Sequence, residues 1–114
     1  MLKIGLIINP WAGIGGQVAL KGSDGAHIVE EAIKRGAKQT SSLKVTQCLQ
    51  TLINDDTSSN IQWFCAKGDM GSDCLDNSNF QYQLIEHTPN TPSNTKDTQL
   101  IAQELLTLNV DIIL

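Results

Sequence analysis

Glycine is dense directly after the first apolar run of the chain. Gly13, Gly15, Gly16, Gly22 and Gly25 all fall between Trp11 and Ala26, with Lys21 among them, and Ser23 or Asp24 is placed to cap a following helix. A strand end, glycines that let the backbone approach an anion, a lysine and a positive helix end are together the parts of a phosphate cradle. The competing reading is a glycine-rich surface connection, but a position on the ligand side of a first strand favours binding. The spacing is not that of a Walker A loop, because Lys21 follows Leu20 rather than glycine. Nor is it a dinucleotide fingerprint: Gly13 and Gly15 fit, but the third glycine position holds Val18.

Other chemistry-bearing residues are sparse. Gly68-Asp69-Met70-Gly71 reads either as a tight turn into a helix, with Asp69 at its positive end, or as a loop near a ligand cleft. Asp97 fits a capping-box arrangement with Asn94, which does not preclude ligand contact. Lys21 reads equally as a solvated base and as a phosphate ligand. His27 and His87 have no nucleophile or acid near them in sequence and read as surface residues. Cys48, Cys65 and Cys74 form no CxxC pair and lie away from both histidines, so zinc-ligand spacing is absent. Cys48 and Cys65 fall on apolar faces and read as reduced core thiols. Trp63 reads as core, whereas Trp11, inside the glycine-rich loop, is placed to lie over a ligand base.

The elements that must position these residues alternate in period. Leu2 to Ile8 is a β-branched-rich run ended by Asn9-Pro10 and predicts a buried strand. A helix is expected over 26–37, with Ile28, Val29, Ala32 and Ile33 on one face, Glu30–Lys34 and Glu31–Arg35 as i,i+4 pairs, and Gly36 as its stop. Val45, Cys48, Leu49, Leu52 and Ile53 match the helical template over 43–54, with Ser41 or Ser42 as the start. Strands are expected at 61–65 and 81–86, the second partly exposed, with a helical turn near 70–75 between them. A last helix over 95–108, stopped at Asn109, precedes a fourth strand at 110–114. Strands alternating with helices imply parallel pairing, hence an α/β, three-layer Rossmann-like sheet.

Composition sets the outer bounds. The 114 residues suffice for one small domain, and 40% apolar against 18% charged is the balance of a chain with a real core. Net charge is −4, but unevenly spread: residues 1–54 hold six bases against three acids, and residues 55–114 hold two bases against nine. An N-terminal half at +3 suits an anionic ligand, though ordinary surface scatter gives the same asymmetry. No basic stripe interleaved with aromatics suggests nucleic acid. No signal peptide or membrane span is evident, so a cytoplasmic protein is expected. The sequence stops inside the apolar run Val110 to Leu114, which reads as a domain truncated after its fourth strand, and an incomplete sheet of this kind is expected to associate as a homo-oligomer.

The run Asn9-Pro10-Trp11-Ala12-Gly13-Ile14-Gly15-Gly16-Gln17-Val18-Ala19-Leu20-Lys21-Gly22-Ser23-Asp24-Gly25 resembles the opening signature of the ATP-NAD kinase-like family, Asn-Pro-x-Ala-Gly-x-Gly-Gly-x-Val-Gly-Leu-Lys-Gly-Thr-Asp-Gly. Ala19 stands for a usual glycine, with some loss of backbone freedom, and Ser23 for a usual threonine. Gly68-Asp69-Met70-Gly71 is similar to the family's Gly-[Glu or Asp]-Met-Gly element, and Thr95-Lys96-Asp97-Thr98 to its Thr-x-Asp-Thr helix start. Val110 to Leu114 resembles the strand before its Gly-Gly-Asp-Gly-Thr motif, which these residues do not contain. The resemblance spans nearly the whole chain in matching order. It implies the N-terminal domain of the NAD kinase/diacylglycerol kinase-like fold and phosphoryl transfer from ATP or polyphosphate to NAD, with Mg2+ offsetting phosphate charge. The catalytic aspartate would come from the missing motif, so these residues alone would be inactive. Nucleotide contacts would fall on Asn9, Gly13, Gly15, Gly16, Lys21, Gly22, Asp24, Gly68, Asp69, Gly71, Asp97 and Thr98. Two alternatives stand beside this reading. Lipid and sphingoid kinases share an Asn-Pro-x-x-Gly loop, although the Leu20 to Gly25 extension argues against them. Relatives that act as accessory proteins of acetoin catabolism would only bind nucleotide.

Overall fold

The computed structural model describes residues 1–14, 26–53 and 60–114. Its elements run β1 (Leu2–Leu6), α1 (Ala26–Lys34), α2 (Ser41–Ile53), β2 (Ile61–Cys65), α3 (Ser72–Asn77), β3 (Tyr82–Leu84), α4 (Thr95–Thr107) and β4 (Ile112–Ile113). The four strands form one parallel sheet in the order β3-β2-β1-β4. The architecture is therefore the α/β, Rossmann-like sheet that the alternating periods predict.

The two sheet faces are separated by the strand period. Ile4, Leu6, Trp63 and Cys65 point to one side, where Leu49 of α2 and Cys74 and Leu75 of α3 cover them. Phe64 points to the other, where it meets Ala66, Met70, Ile85 and the α4 residues Ile101 and Leu105. Gly5 lies under α4: a Cβ there would come within 2.7 Å of Leu105 Cδ1, so the glycine permits the close approach.

Helix ends follow local chemistry. Gly36 adopts φ +89°, its N–H donating to the Ile33 carbonyl while Ala37 N donates to Ala32 O, a Schellman stop for α1. Asn109, at φ 55°, repeats the pattern for α4: its N–H donates to Leu106 O and Val110 N to Leu105 O. That bond draws Val110 into the helix cap and shortens the fourth strand relative to 110–114. The strand expected at 2–8 stops at Leu6, beyond which Ile7 N donates to Leu114 O and Ile8 N to Met70 O. The helical turn expected near 70–75 is a helix two residues later, α3, which begins only after the Gly68–Gly71 turn closes.

Two faces differ from the sequence pattern. In α2 only Leu49 is fully buried, with Val45 and Leu52 partly packed, while Cys48 and Ile53 are exposed. The cause is α3: Thr46 Oγ1 lies 3.2 Å from Cys74 Sγ, so α2 turns its 42–46–49 stripe inward. Cys48 is thus no core thiol. In α1, Val29 and Ala32 are buried but Ile33 is 48% exposed. Ile112 and Ile113 of β4, the last strand in the order β3-β2-β1-β4, are nearly half exposed. The Glu31–Arg35 pair forms at 3.0 Å.

The cysteines give a direct check. Cys65 is buried, and burial, with the Asp76 charge as the smaller contribution, pushes its thiol up to about 12. Its thiolate, the reactive form, is therefore scarce at neutral pH. Titration with a thiol reagent at pH 7.5 is expected to modify Cys48 rapidly in the native protein, and Cys65 and Cys74 only after unfolding. Rapid modification of all three thiols under native conditions would contradict this packing.

Candidate functional site

In a parallel sheet the loops that leave the carboxyl ends of the strands share one edge. Here the turn after β1 and the turn after β2 are joined there, the Ile8 N–H donating to the Met70 carbonyl at 2.9 Å. Sequence spacing gave no hint of this bond. It fixes the distance between the two glycine-bearing turns that the sequence singles out.

The first turn is held by Asn9. Its Oδ1 accepts from Trp11 N at 3.0 Å, and its carbonyl accepts from Ala12 N at 3.1 Å. Ile14 N then donates to Trp11 O, and Ile14 itself is buried. Within Trp11–Ile14, the Gly13 N–H is left without a partner among the described residues. Gly13 has φ +71° and open space where a Cβ would stand, so the backbone there is accessible to a ligand atom. Trp11 is half-buried and its Nε1 is buried without a hydrogen-bond partner. Gly15, Gly16, Lys21, Gly22 and Asp24, together with the Ser23 or Asp24 cap, lie outside the described residues.

The second turn is self-contained. Gly68 N donates to Ser72 Oγ at 2.7 Å, and the Gly68 carbonyl accepts from both Gly71 N and Asp73 N. Ser72 N donates to Ala66 O. The start of α3 thus spends these donors on its own chain. What the turn offers outward is Asp69, half-buried in the middle of it.

At the third loop the structure corrects the sequence reading of His87. Its Nε2 lies 2.8 Å from Asp97 Oδ1, so it is paired with a carboxylate rather than standing alone on the surface. The residues are ten apart across an irregular loop, and no periodic pattern marks such a contact. Asp97 is fully buried and the capping box with Asn94 is complete: Asn94 N donates to Asp97 Oδ2 at 2.9 Å and Asp97 N to Asn94 Oδ1 at 3.2 Å. Asn90 donates to Asp97 Oδ1 from both its backbone and its side chain, each at 3.2 Å. Burial pushes the Asp97 carboxyl up, but the hydrogen bonds from Asn94, His87 and Asn90 outweigh it and hold the group below its ordinary range. Thr98, in the first turn of α4, is half-buried.

No family model, curated protein or solved structure matches this chain. Among the described residues, no cluster of three or more His, Cys, Asp or Glu side chains is arranged to hold a metal ion, and no helix is long and apolar enough to cross a membrane. Among the described residues the arrangement therefore offers an edge that carries the Gly13 N–H, the Asn9 amide and the Asp69 carboxylate.

Proposed function

We propose that the chain is the nucleotide-binding part of an NAD kinase-like phosphotransferase. In this reading the phosphates of ATP, or of polyphosphate, and of NAD lie along the carboxyl edge of the sheet. The observation that carries the reading is the Ile8–Met70 hydrogen bond at 2.9 Å, which sets the Asn9–Ile14 and Gly68–Gly71 turns side by side where a parallel sheet receives ligands. Gly13 supplies a backbone donor at a φ of +71°, which L side chains rarely adopt. Gly15, Gly16 and Lys21, phosphate contacts by the resemblance, would add to this cradle, with the lysine as a point charge.

Mg2+ in this scheme arrives with the phosphates it neutralises rather than in a protein cage, as is usual for this ion. Asp69, the carboxylate of the Gly68–Gly71 turn, would be available to hold it. A base for the acceptor hydroxyl is assigned to a Gly-Gly-Asp-Gly motif that these residues lack. Binding is the property to measure on these turns.

Calorimetric titration of ATP and of NAD tests the reading. Lys21→Ala is expected to weaken nucleotide binding about tenfold, or ~1.4 kcal/mol. Gly15→Val is expected to abolish it, since the side chain would occupy phosphate space. Wild-type affinity in both variants would reduce the loop to a connection.

A further inference from the structure

The geometry points to a second ligand site, distinct from the glycine-bearing turns: a recess beside α4 in which His87 Nδ1 accepts a hydrogen bond from a small protonated amine. The recess, about 390 Å3, is lined by Glu86, His87, Leu100, Gln103, Glu104 and Thr107.

The case begins with the tautomer. Asp97 already accepts from Asn94 N on Oδ2 and from Asn90 on Oδ1, and it is fully buried. Those hydrogen bonds hold its carboxyl in the ionised, acceptor-only form. The Nε2 atom must therefore be the donor in the 2.8 Å contact, and in the neutral ring Nδ1 carries the lone pair. Nδ1 has no partner among the described residues, and it is not one of the unpartnered atoms sealed from solvent. The ring is 20% exposed.

The ring is also held in place from behind. The Glu104 carboxylate accepts from Glu86 N at 2.8 Å and from His87 N at 2.7 Å, fixing the backbone on which the imidazole is mounted. The capping box of α4 closes through Asn94 alone, so the loop does not need an imidazole to satisfy it. What His87 adds is an oriented, solvent-facing acceptor of the kind a ligand can use without reorganisation.

The charge of the recess selects the ligand class. Glu86 and Glu104 line it, Asp97 stands behind the ring, and no lysine or arginine lines it among the described residues. An anion is disfavoured there. An ammonium group can donate to Nδ1 and be balanced by the carboxylates, while Gln103 and Thr107 offer partners to a neighbouring hydroxyl and Leu100 an apolar wall. The volume lies in the range of small-molecule sites.

The test is NMR titration of the 15N-labelled protein with ethanolamine at pH 7.5, where it is protonated, and with acetate as the anionic control. A saturable shift of the His87 ring nitrogens with ethanolamine, absent with acetate, is expected. His87→Gln places an amide N–H where Nε2 stood, keeping the bond to Asp97 while removing the Nδ1 acceptor. This variant is expected to melt like wild type and bind ethanolamine at least tenfold more weakly. Non-saturating shifts, an equal response to acetate, or unchanged affinity in His87→Gln would each overturn the proposal. None of these readouts involves ATP or NAD.

Discussion

Asp97→Ala is expected to destabilise the native state by about 3 kcal/mol. The cost comes from four part-buried donors left without their acceptor, about 1–3 kcal/mol for a group of this kind, whereas the N-cap bond from residue 97 N to Asn94 Oδ1 does not need the carboxylate. Four donors converge on this carboxylate: Asn94 N, Asn90 N, Asn90 Nδ2 and His87 Nε2. The carboxylate itself has zero exposure, so in the native protein these donors and not water satisfy it. Because the folded-state pKa lies below the unfolded one, the contribution is fully present above the unfolded value and is lost as pH falls through the folded value. Urea denaturation of wild type and Asp97→Ala between pH 7 and pH 2.5 reads this directly. The gap between the two proteins should be widest at neutral pH and narrow on acidification, beginning near pH 4, the ordinary aspartate range. A gap that is absent at pH 7, or that stays constant into acid, would show that the ionised carboxylate does not hold the loop.

That residue also marks how far the sequence could be read. The capping box was visible because both partners lie within one turn and the chemistry fixes their spacing at three. The Schellman stops at Gly36 and Asn109 were visible for the same local reason. The parallel sheet followed from the alternation of strand and helix periods, which leaves little topological choice. Tertiary contacts through irregular backbone were not visible. His87 meets Asp97 only because the loop 88–94 folds back, and Ile8 meets Met70 only because β1 and β2 are neighbours. Cys48 was misplaced because a five-residue apolar stripe is wider than the face α3 and the sheet leave for α2. The candidate site has the same division. Its turns were legible as glycine-bearing loops at strand ends, whereas their mutual distance belongs to the sheet.

Gly71→Val is expected to cost about 3 kcal/mol, at or above the top of the usual range for overpacking. A Cβ at this position would stand 2.6 Å from Cys65 Cβ and 3.1 Å from the Ala66 carbonyl oxygen. Neither obstacle is the flexible end of a side chain: one is the first carbon of a fully buried residue in β2, and the other is backbone. Relief would require the Gly68–Gly71 turn to lift away from the end of β2. That movement would stretch the Gly71 N–Gly68 O and Ser72 N–Ala66 O hydrogen bonds, and through Met70 it would pull on Ile8. The substitution therefore separates two roles of the turn. Denaturation midpoints report the steric cost, and ATP titration of the folded variant reports whether the turn after β1 depends on the turn after β2. Gly71→Ala meets the same two contacts with its Cβ but lacks the Cγ atoms of valine, and is expected to fold with a smaller loss of stability. If Gly71→Val unfolds at the same urea concentration as wild type, the backbone approach at the end of β2 is looser than these distances allow. If Gly71→Ala folds but binds ATP with unchanged affinity, the two turns do not act as one site.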